Sequence, residues 1–265
     1  MGEIVFAHPR VNYGSYADYR KLVELSGYPA CYMDEMDLQS DNTYIFSTPD
    51  TYWLHGWPDA KCRIIYYCIE WYFDIDYSTI PCVEVWCADK YWAERIGAQY
   101  VPMGSHPALN LHPDDMQEKR YDVCTLWAGS YNRYNAEGYL IEHNLTHSPL
   151  DWGGERQGIH GEERYNLLSQ SRMMIAAHQN PEARTLAPQR WALAAAYKLP
   201  IVSERLEDAG MLDEVTIQCD LENIGAVAAN WKEPANAGKL AAKGRALYEL
   251  LCEQWTFRKG IETNL

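Results

Sequence analysis

Residues 184–204, Arg-Thr-Leu-Ala-Pro-Gln-Arg-Trp-Ala-Leu-Ala-Ala-Ala-Tyr-Lys-Leu-Pro-Ile-Val-Ser-Glu, restrict the fold more than any other stretch. They read as loop, helix, tight turn and buried strand. Pro188 suits a first helical turn, where no amide donor is required. Ala192 to Ala196 has high helix propensity. Leu199-Pro200-Ile201-Val202 is a short apolar run with proline at its entry, where a strand tolerates it. A helix start collects unpaired N–H groups and positive dipole, so it suits an anion. Arg184 and Arg190 flank that start, and Leu186 and Ala187 lead into it. Together they could receive a diphosphate.

The same alternation runs through the chain. Glu3 to Ala7 reads as a first strand, followed by a turn-rich loop and a helix over 16–26. Further strands are expected at 30–34, 43–46, 62–69, 83–87 and 99–102, with a helix over 89–96 stopped by Gly97. Residues 103–117 carry glycine, prolines and few helix signals, which marks a linker. A second series starts at Tyr121-Asp-Val-Cys-Thr-Leu-Trp-Ala-Gly129. It continues with helices over 136–147 and 162–169, a strand over 172–177, the Pro188 helix, the Ile201 strand and a strand over 215–219. Helices over 221–231 and 235–253 close it. The expected fold is α/β, with two Rossmann-like domains facing each other across a cleft, 1–112 and 113–265. Ligands of such sheets bind outside the carboxyl ends of the strands.

Bulk properties narrow the class. No apolar run reaches membrane-span length, and the N-terminal residues lack the basic and apolar regions of a signal peptide, so a soluble cytoplasmic protein is expected. The eight cysteines include no CxxC pair and sit mostly in apolar runs, as small buried hydrophobes of a reducing compartment do. The net charge of −14 opposes a broad basic surface for nucleic acid and leaves only local patches for phosphate. No His, Cys, Asp or Glu set has ligand spacing, so no metal is expected. His143 and His147, four apart, read as a helix-surface pair.

Several side chains carry candidate chemistry. Glu70, in Ile-Glu-Trp-Tyr-Phe-Asp-Ile-Asp, follows a strand. Carboxylates among aromatics are partly desolvated, which raises their pKa toward that of a general base. Asp74 shares that setting, and His8 at the end of the first strand is the competing base. All three also fit ordinary loop positions. Gly129-Ser130-Tyr-Asn-Arg133 follows a strand. There, Gly129 permits close backbone approach, and Ser130 and Arg133 can reach phosphate. A plain turn with a surface arginine fits equally. Arg164 and Arg172 read as partners of nearby acids such as Glu162 and Glu163. Tyr13, Trp53, Trp57, Trp71, Tyr72 and Trp152 offer faces for sugars or bases, or for packing.

Three segments resemble the GT-B glycosyltransferases. Trp86-Cys-Ala-Asp-Lys-Tyr-Trp with Tyr100-Val-Pro-Met-Gly-Ser105 is similar to the last helix of that family's first domain and its turn into the linker. Asp122 to Tyr131 is similar to the first strand and glycine loop of the second domain. Gln189 to Glu204 is similar to the R-x-x-E-A-x-A-x-G-x-P-V-V segment, with Arg190 on its arginine. The layout also resembles the T-even phage type of DNA β-glucosyltransferase, where a catalytic carboxylate follows a Tyr-Tyr strand. Here Tyr66-Tyr67-Cys68-Ile69-Glu70 ends in one.

The resemblance implies a metal-independent enzyme with no permanently bound cofactor. A nucleotide-diphosphate sugar, UDP by family frequency, is the co-substrate in the second domain. The acceptor hydroxyl, in the first, lies on hydroxymethylcytosine DNA or a saccharide. One departure stands out: the family's ribose-holding glutamate falls on Leu193 and its glycine on Lys198. Glu204 is the replacement candidate. A non-catalytic GT-B-like nucleotide- or sugar-binding module and an unrelated doubly wound nucleotide-binding protein are the alternatives.

Overall fold

The computed structural model describes residues 2–10, 16–48, 51–69, 75–111, 118–126, 130–147, 161–178 and 187–265, apart from the side chain of Tyr131. The first sheet has six strands: β1 (Ile4–His8), β2 (Ala30–Tyr32), β3 (Thr43–Phe46), β4 (Arg63–Cys68), β5 (Glu84–Cys87) and β6 (Gln99–Tyr100). All are parallel, in the order β2-β1-β3-β4-β5-β6. β4 is buried on both faces, as the apolar run Ile-Ile-Tyr-Tyr-Cys requires of a central parallel strand. Alternate residues feed two cores. Phe6, Ile45, Ile65, Tyr67 and Trp86 face one side. Tyr44, Phe46, Ile64, Tyr66 and Cys87 face the other. Helix α1 (Ala17–Leu25) follows β1. Helix α2 (Lys90–Ile96) follows β5, capped by Asp89 accepting from the Trp92 amide at 3.0 Å and stopped by Gly97 in the left-handed region.

The second sheet has four parallel strands: β7 (Tyr121–Thr125), β8 (Ser171–Ala176), β9 (Ile201–Glu204) and β10 (Ile217–Cys219), in the order β10-β9-β8-β7. Around it lie α3 (Tyr131–Glu142), α4 (Gly161–Ser169), α5 (Pro188–Ala196), α6 (Ile224–Lys232) and α7 (Ala237–Tyr248). His147 bridges Val123 on the free edge of β7. The chain therefore leaves β7 to one side and returns on the other, as it does around β1. Both sheets thus have a topological switch point, between β1 and β3 and between β7 and β8.

Two expected helices are placed differently. The helix expected over 136–147 runs from Tyr131 to Glu142 and ends before Asn144, whose φ of 53° is left-handed. His143 and His147 are therefore not a helix-surface pair, because His147 lies beside β7. The closing helix expected over 235–253 runs as α7 and a turn of π-helix, Glu249–Gln254, and then breaks at Trp255. A further helix, α8 (Phe257–Asn264), follows, capped by the Thr256 hydroxyl accepting from the Lys259 amide at 3.2 Å. Trp255 Nε1 donates to the Pro102 carbonyl at 3.0 Å, which fixes the break.

α8 returns to the first sheet. Phe257 packs against Phe6, Tyr19 and Tyr67, with ring centroids 5.7, 6.0 and 6.5 Å away. Ala192 and Ala196 of α5 enter the same core, since alanine lets a helix approach closely. Ser105 Oγ donates to the Ala192 carbonyl at 2.6 Å. Asp18 of α1 meets Arg164 of α4 and accepts from the Tyr165 hydroxyl at 2.8 Å. Where α7 meets the turn after α5 only glycine fits: a Cβ on Gly244 would lie 2.0 Å from the Lys198 carbonyl oxygen.

Candidate functional site

The carboxyl ends of the two sheets face each other. Lys90, just after β5, holds both carboxylate oxygens of Asp208, four residues after β9, at 3.0 and 2.8 Å. Beside that pair lies a small cleft lined by Asp89, Tyr100 and Met103 from the first lobe and Pro188, Trp191 and Leu212 from the second. Pro188 is the first residue of α5, so this helix start borders the cleft.

The second lobe concentrates polar side chains at this edge. Glu204 ends β9, and its Oε2 accepts from Asn132 Nδ2 at 3.0 Å and from the His178 backbone N–H at 3.0 Å. The His178 ring Nδ1 is 3.6 Å from the same oxygen. One carboxylate thus ties the start of α3, the chain leaving β8 and the end of β9 together at the switch point. Asn132, Arg133, Glu137, His178 and Gln189 are all buried. Gln189, in the first turn of α5, has both amide atoms buried without a hydrogen-bond partner among the described residues, as do the hydroxyls of Ser130 and Ser203. Such groups are costly to bury unless something completes them.

The expected site residues distribute as follows. Ser130 is the residue before α3, and Arg133 is buried in its first turn, so the surface-arginine alternative does not hold for Arg133. Ala187 is the N-cap of α5, and the Arg190 amide donates to its carbonyl at 3.1 Å. Leu193 is buried in the apolar core of the second lobe, so that position offers nothing polar to a ligand. Glu204 lies at the sheet edge, engaged with protein groups. Where Glu162 and Glu163 were the expected partners, Arg164 crosses to Asp18 and Arg172 lies 3.8 Å from Asp122. Glu70, Asp74, Gly129, Arg184 and Leu186 lie outside the described residues, as do Tyr13, Trp71, Tyr72 and Trp152. Trp53 is fully buried and serves packing.

His8 sits at the carboxyl end of β1, half-buried and edge-on to Tyr19 at 6.4 Å. Burial, with Arg20 nearby, pulls its pKa down to about 4, so the ring is neutral at pH 7. It can accept a hydrogen bond there but is a weak base.

Asn132, His178 and Gln189 were not legible as site residues. Their role comes from burial at a shared sheet edge, and no spacing in the sequence encodes it. Among the described residues, no group of three or more His, Cys, Asp or Glu could hold a metal ion, and no helix is long and apolar enough to cross a membrane.

No protein-family model and no curated protein matches the chain. Solved structures do. AviGT4, a glycosyltransferase involved in avilamycin A biosynthesis, is 12% identical with a TM-score of 0.58, over 100% of this chain and 96% of that one. A trehalose-6-phosphate synthase studied for glycosyl transfer with retention is 9% identical with a TM-score of 0.59, over 99% and 98%. The fold is that of the GT-B glycosyltransferases. An α1,3-fucosyltransferase gives the same GT-B likeness at 9% identity, with a TM-score of 0.54 over 98% and 88%. At such identities the likeness defines the architecture alone.

Proposed function

We infer that this chain is a glycosyltransferase that moves a sugar from a nucleotide-diphosphate sugar to an acceptor hydroxyl. The observation that carries this reading is the Asn132–Glu204–His178 network at the β7/β8 switch point, on the same sheet edge as the start of α5. To that edge the reading assigns what a leaving diphosphate needs: helix-start N–H groups, Arg190 and Arg133 in the first turns of α5 and α3, and polar side chains fixed in advance. The second lobe, within 113–265, is assigned the donor, with UDP as its nucleotide and no metal required. Ser130, Ala187 and the loop residues Gly129, Arg184 and Leu186 belong to the same assignment. Glu204 acts there as a positioning residue.

The first lobe, within 1–112, is assigned the acceptor. A base at the carboxyl edge of its sheet takes the hydroxyl proton as the oxygen attacks the anomeric carbon and the diphosphate departs. Glu70 is the first candidate, followed by Asp74 and His8. Hydroxymethylcytosine in DNA, a phage-type acceptor, and a saccharide are the two acceptor classes.

A second reading has one observation in its favour. Leu193, in the position of the ribose-holding glutamate, is buried in the core, as in a binding module that has lost transfer. Donor turnover separates the two. A glycosyltransferase slowly releases UDP from a UDP-sugar without acceptor; a panel of nucleotide sugars that are bound but never cleaved would establish the module instead.

A further inference from the structure

We propose that residues 206–213 form a lid over the cleft between the lobes, pinned at its base by Gln218 and latched by Lys90 against Asp208. What the lid admits rests on the assignment of the nucleotide sugar to the second lobe; the lid itself does not. The segment leaves β9 just after Glu204, at the carboxyl edge of the second sheet. Gln218, the middle residue of the neighbouring strand β10, ties both of its ends with one side chain. Its Oε1 accepts from the Leu206 amide at 3.0 Å, and its Nε2 donates to Asp213 Oδ1 at 2.8 Å. The base is closed, as in other compact surface loops.

Between those ends the backbone turns through two left-handed residues, Asp208 at φ 56° and Gly210 at φ 57°. The tip meets the first lobe there. Lys90 holds both Asp208 carboxylate oxygens, at 3.0 and 2.8 Å. Gly210 comes so close to Tyr100 that a Cβ on it would lie 3.2 Å from the tyrosine hydroxyl. Leu206, Ala209 and Leu212 line the cleft together with Trp191. With the lid down the cleft is small. Lifting it opens a way from Lys90 to Pro188 at the start of α5.

Exposure decides which contact between the lobes opens. Asp18 and Arg164 are 4% and 12% exposed, and parting them would leave buried charges uncompensated. α8 is built into the core of the first lobe through Phe257. Lys90 and Asp208 are 41% and 35% exposed, so water takes over both charges when they separate and the exchange is nearly even. Salt screens a pair of this kind. The lobes therefore stay joined while the segment between the two Gln218 bonds swings.

The test uses the full chain as wild type, Lys90→Met, Asp208→Asn and the double variant. The first readout needs no ligand. A glutamate-specific protease cuts after Glu207, an exposed residue of the lid, and mass spectrometry follows the fragment that ends there. Each rate is divided by that of the urea-unfolded chain, because Asp208→Asn alters the bond being cut. Either substitution should speed cleavage about two- to fivefold, the range of an exposed ion pair. The double variant should do no more than either alone. Raising salt from about 50 to about 500 mM should speed cleavage of the wild type and leave the variants unchanged. The second readout is binding and release of UDP in stopped flow. A latch slows both, so both substitutions should raise both rates. Charge acting directly on the nucleotide would instead slow binding in Lys90→Met and speed it in Asp208→Asn. Cleavage indifferent to the substitutions, additive effects in the double variant, or UDP rates that stay put or move in opposite directions overturn the lid. A wild-type chain that binds no UDP strikes the glycosyltransferase reading instead, and the cleavage rates still judge the lid.

Discussion

Asp18 on α1 and Arg164 on α4 form an ion pair between the two lobes that is buried on both sides, with side-chain exposures of 4% and 12%. Tyr165 adds a hydrogen bond to the same carboxylate. Asp18→Ala leaves a buried guanidinium without this partner. Loss of one member of a buried pair costs about 3–5 kcal/mol, so urea unfolding should shift by that amount. A midpoint unchanged from wild type would mean that the pair does not hold the lobes.

Arg190→Ala should weaken UDP binding by about 1.5–3 kcal/mol, the scale of a charge-assisted hydrogen bond. Lys198→Ala is the control. Lys198 lies beyond the far end of α5, its ammonium 4.7 Å from the Tyr248 ring, and should leave UDP affinity alone. Calorimetry reads both, and equal affinities in the two variants would remove Arg190 from the site.

For the base, Glu70→Gln should preserve UDP affinity and lower turnover by about two to four orders of magnitude. Full activity in Glu70→Gln would transfer the role to His8 or Asp74, and His8→Ala and Asp74→Asn, each made in that background, tell the two apart by which one abolishes turnover.

Asp122 gives a stability test with a definite sign. Burial pushes its pKa up, but bonds from Lys232 at 2.8 Å and from Thr146 outweigh that and hold it below its ordinary 3.8. A carboxylate depressed in the folded state stabilises above its unfolded pKa and loses that contribution as pH falls through the folded one. Asp122→Asn should therefore cost about 1.5–3 kcal/mol at pH 7, and the gap should shrink below about pH 3.8. Paired thermal melts across that window check the prediction; a gap that grows in acid would refute it.

Gly244→Ala should destabilise by about 1–3 kcal/mol through overpacking, because its Cβ would meet the Lys198 carbonyl at 2.0 Å. Gly138, inside α3 with nothing near its Cβ position, is the comparison: Gly138→Ala should stabilise by about 0.5–1 kcal/mol.

The strands and the two-lobed order were legible because fully buried parallel strands leave continuous apolar runs, as in Ile64 to Cys68. α5 was legible from Pro188 and its alanines. α8 was missed: it is short, polar on its outer face, and separated from the π-turn that continues α7 only by Trp255 and Thr256. Thr256 was the available signal, a capping residue followed by a helical stretch. The candidate site is legible in part: the sequence singles out Arg190, found in the first turn of α5, and Glu204, found at the end of β9. It does not single out Asn132 and His178, because their partner lies 72 and 26 positions away in sequence. The Asp18–Arg164 pair hid for the same reason, at a separation of 146.

The return of α8 sets an order of events during synthesis. Phe257 fills the core beneath Phe6 and Tyr19, and the Tyr28 hydroxyl donates to the Arg258 carbonyl across a sequence separation of 230. A ribosome delivers the first lobe early and its last core residue late. Until α8 emerges, the aromatic pocket around Phe6 stays open, so the lobe made first is finished last. Chaperone occupancy should therefore persist past synthesis of the linker and fall only once α8 has docked against Phe6 and Tyr19.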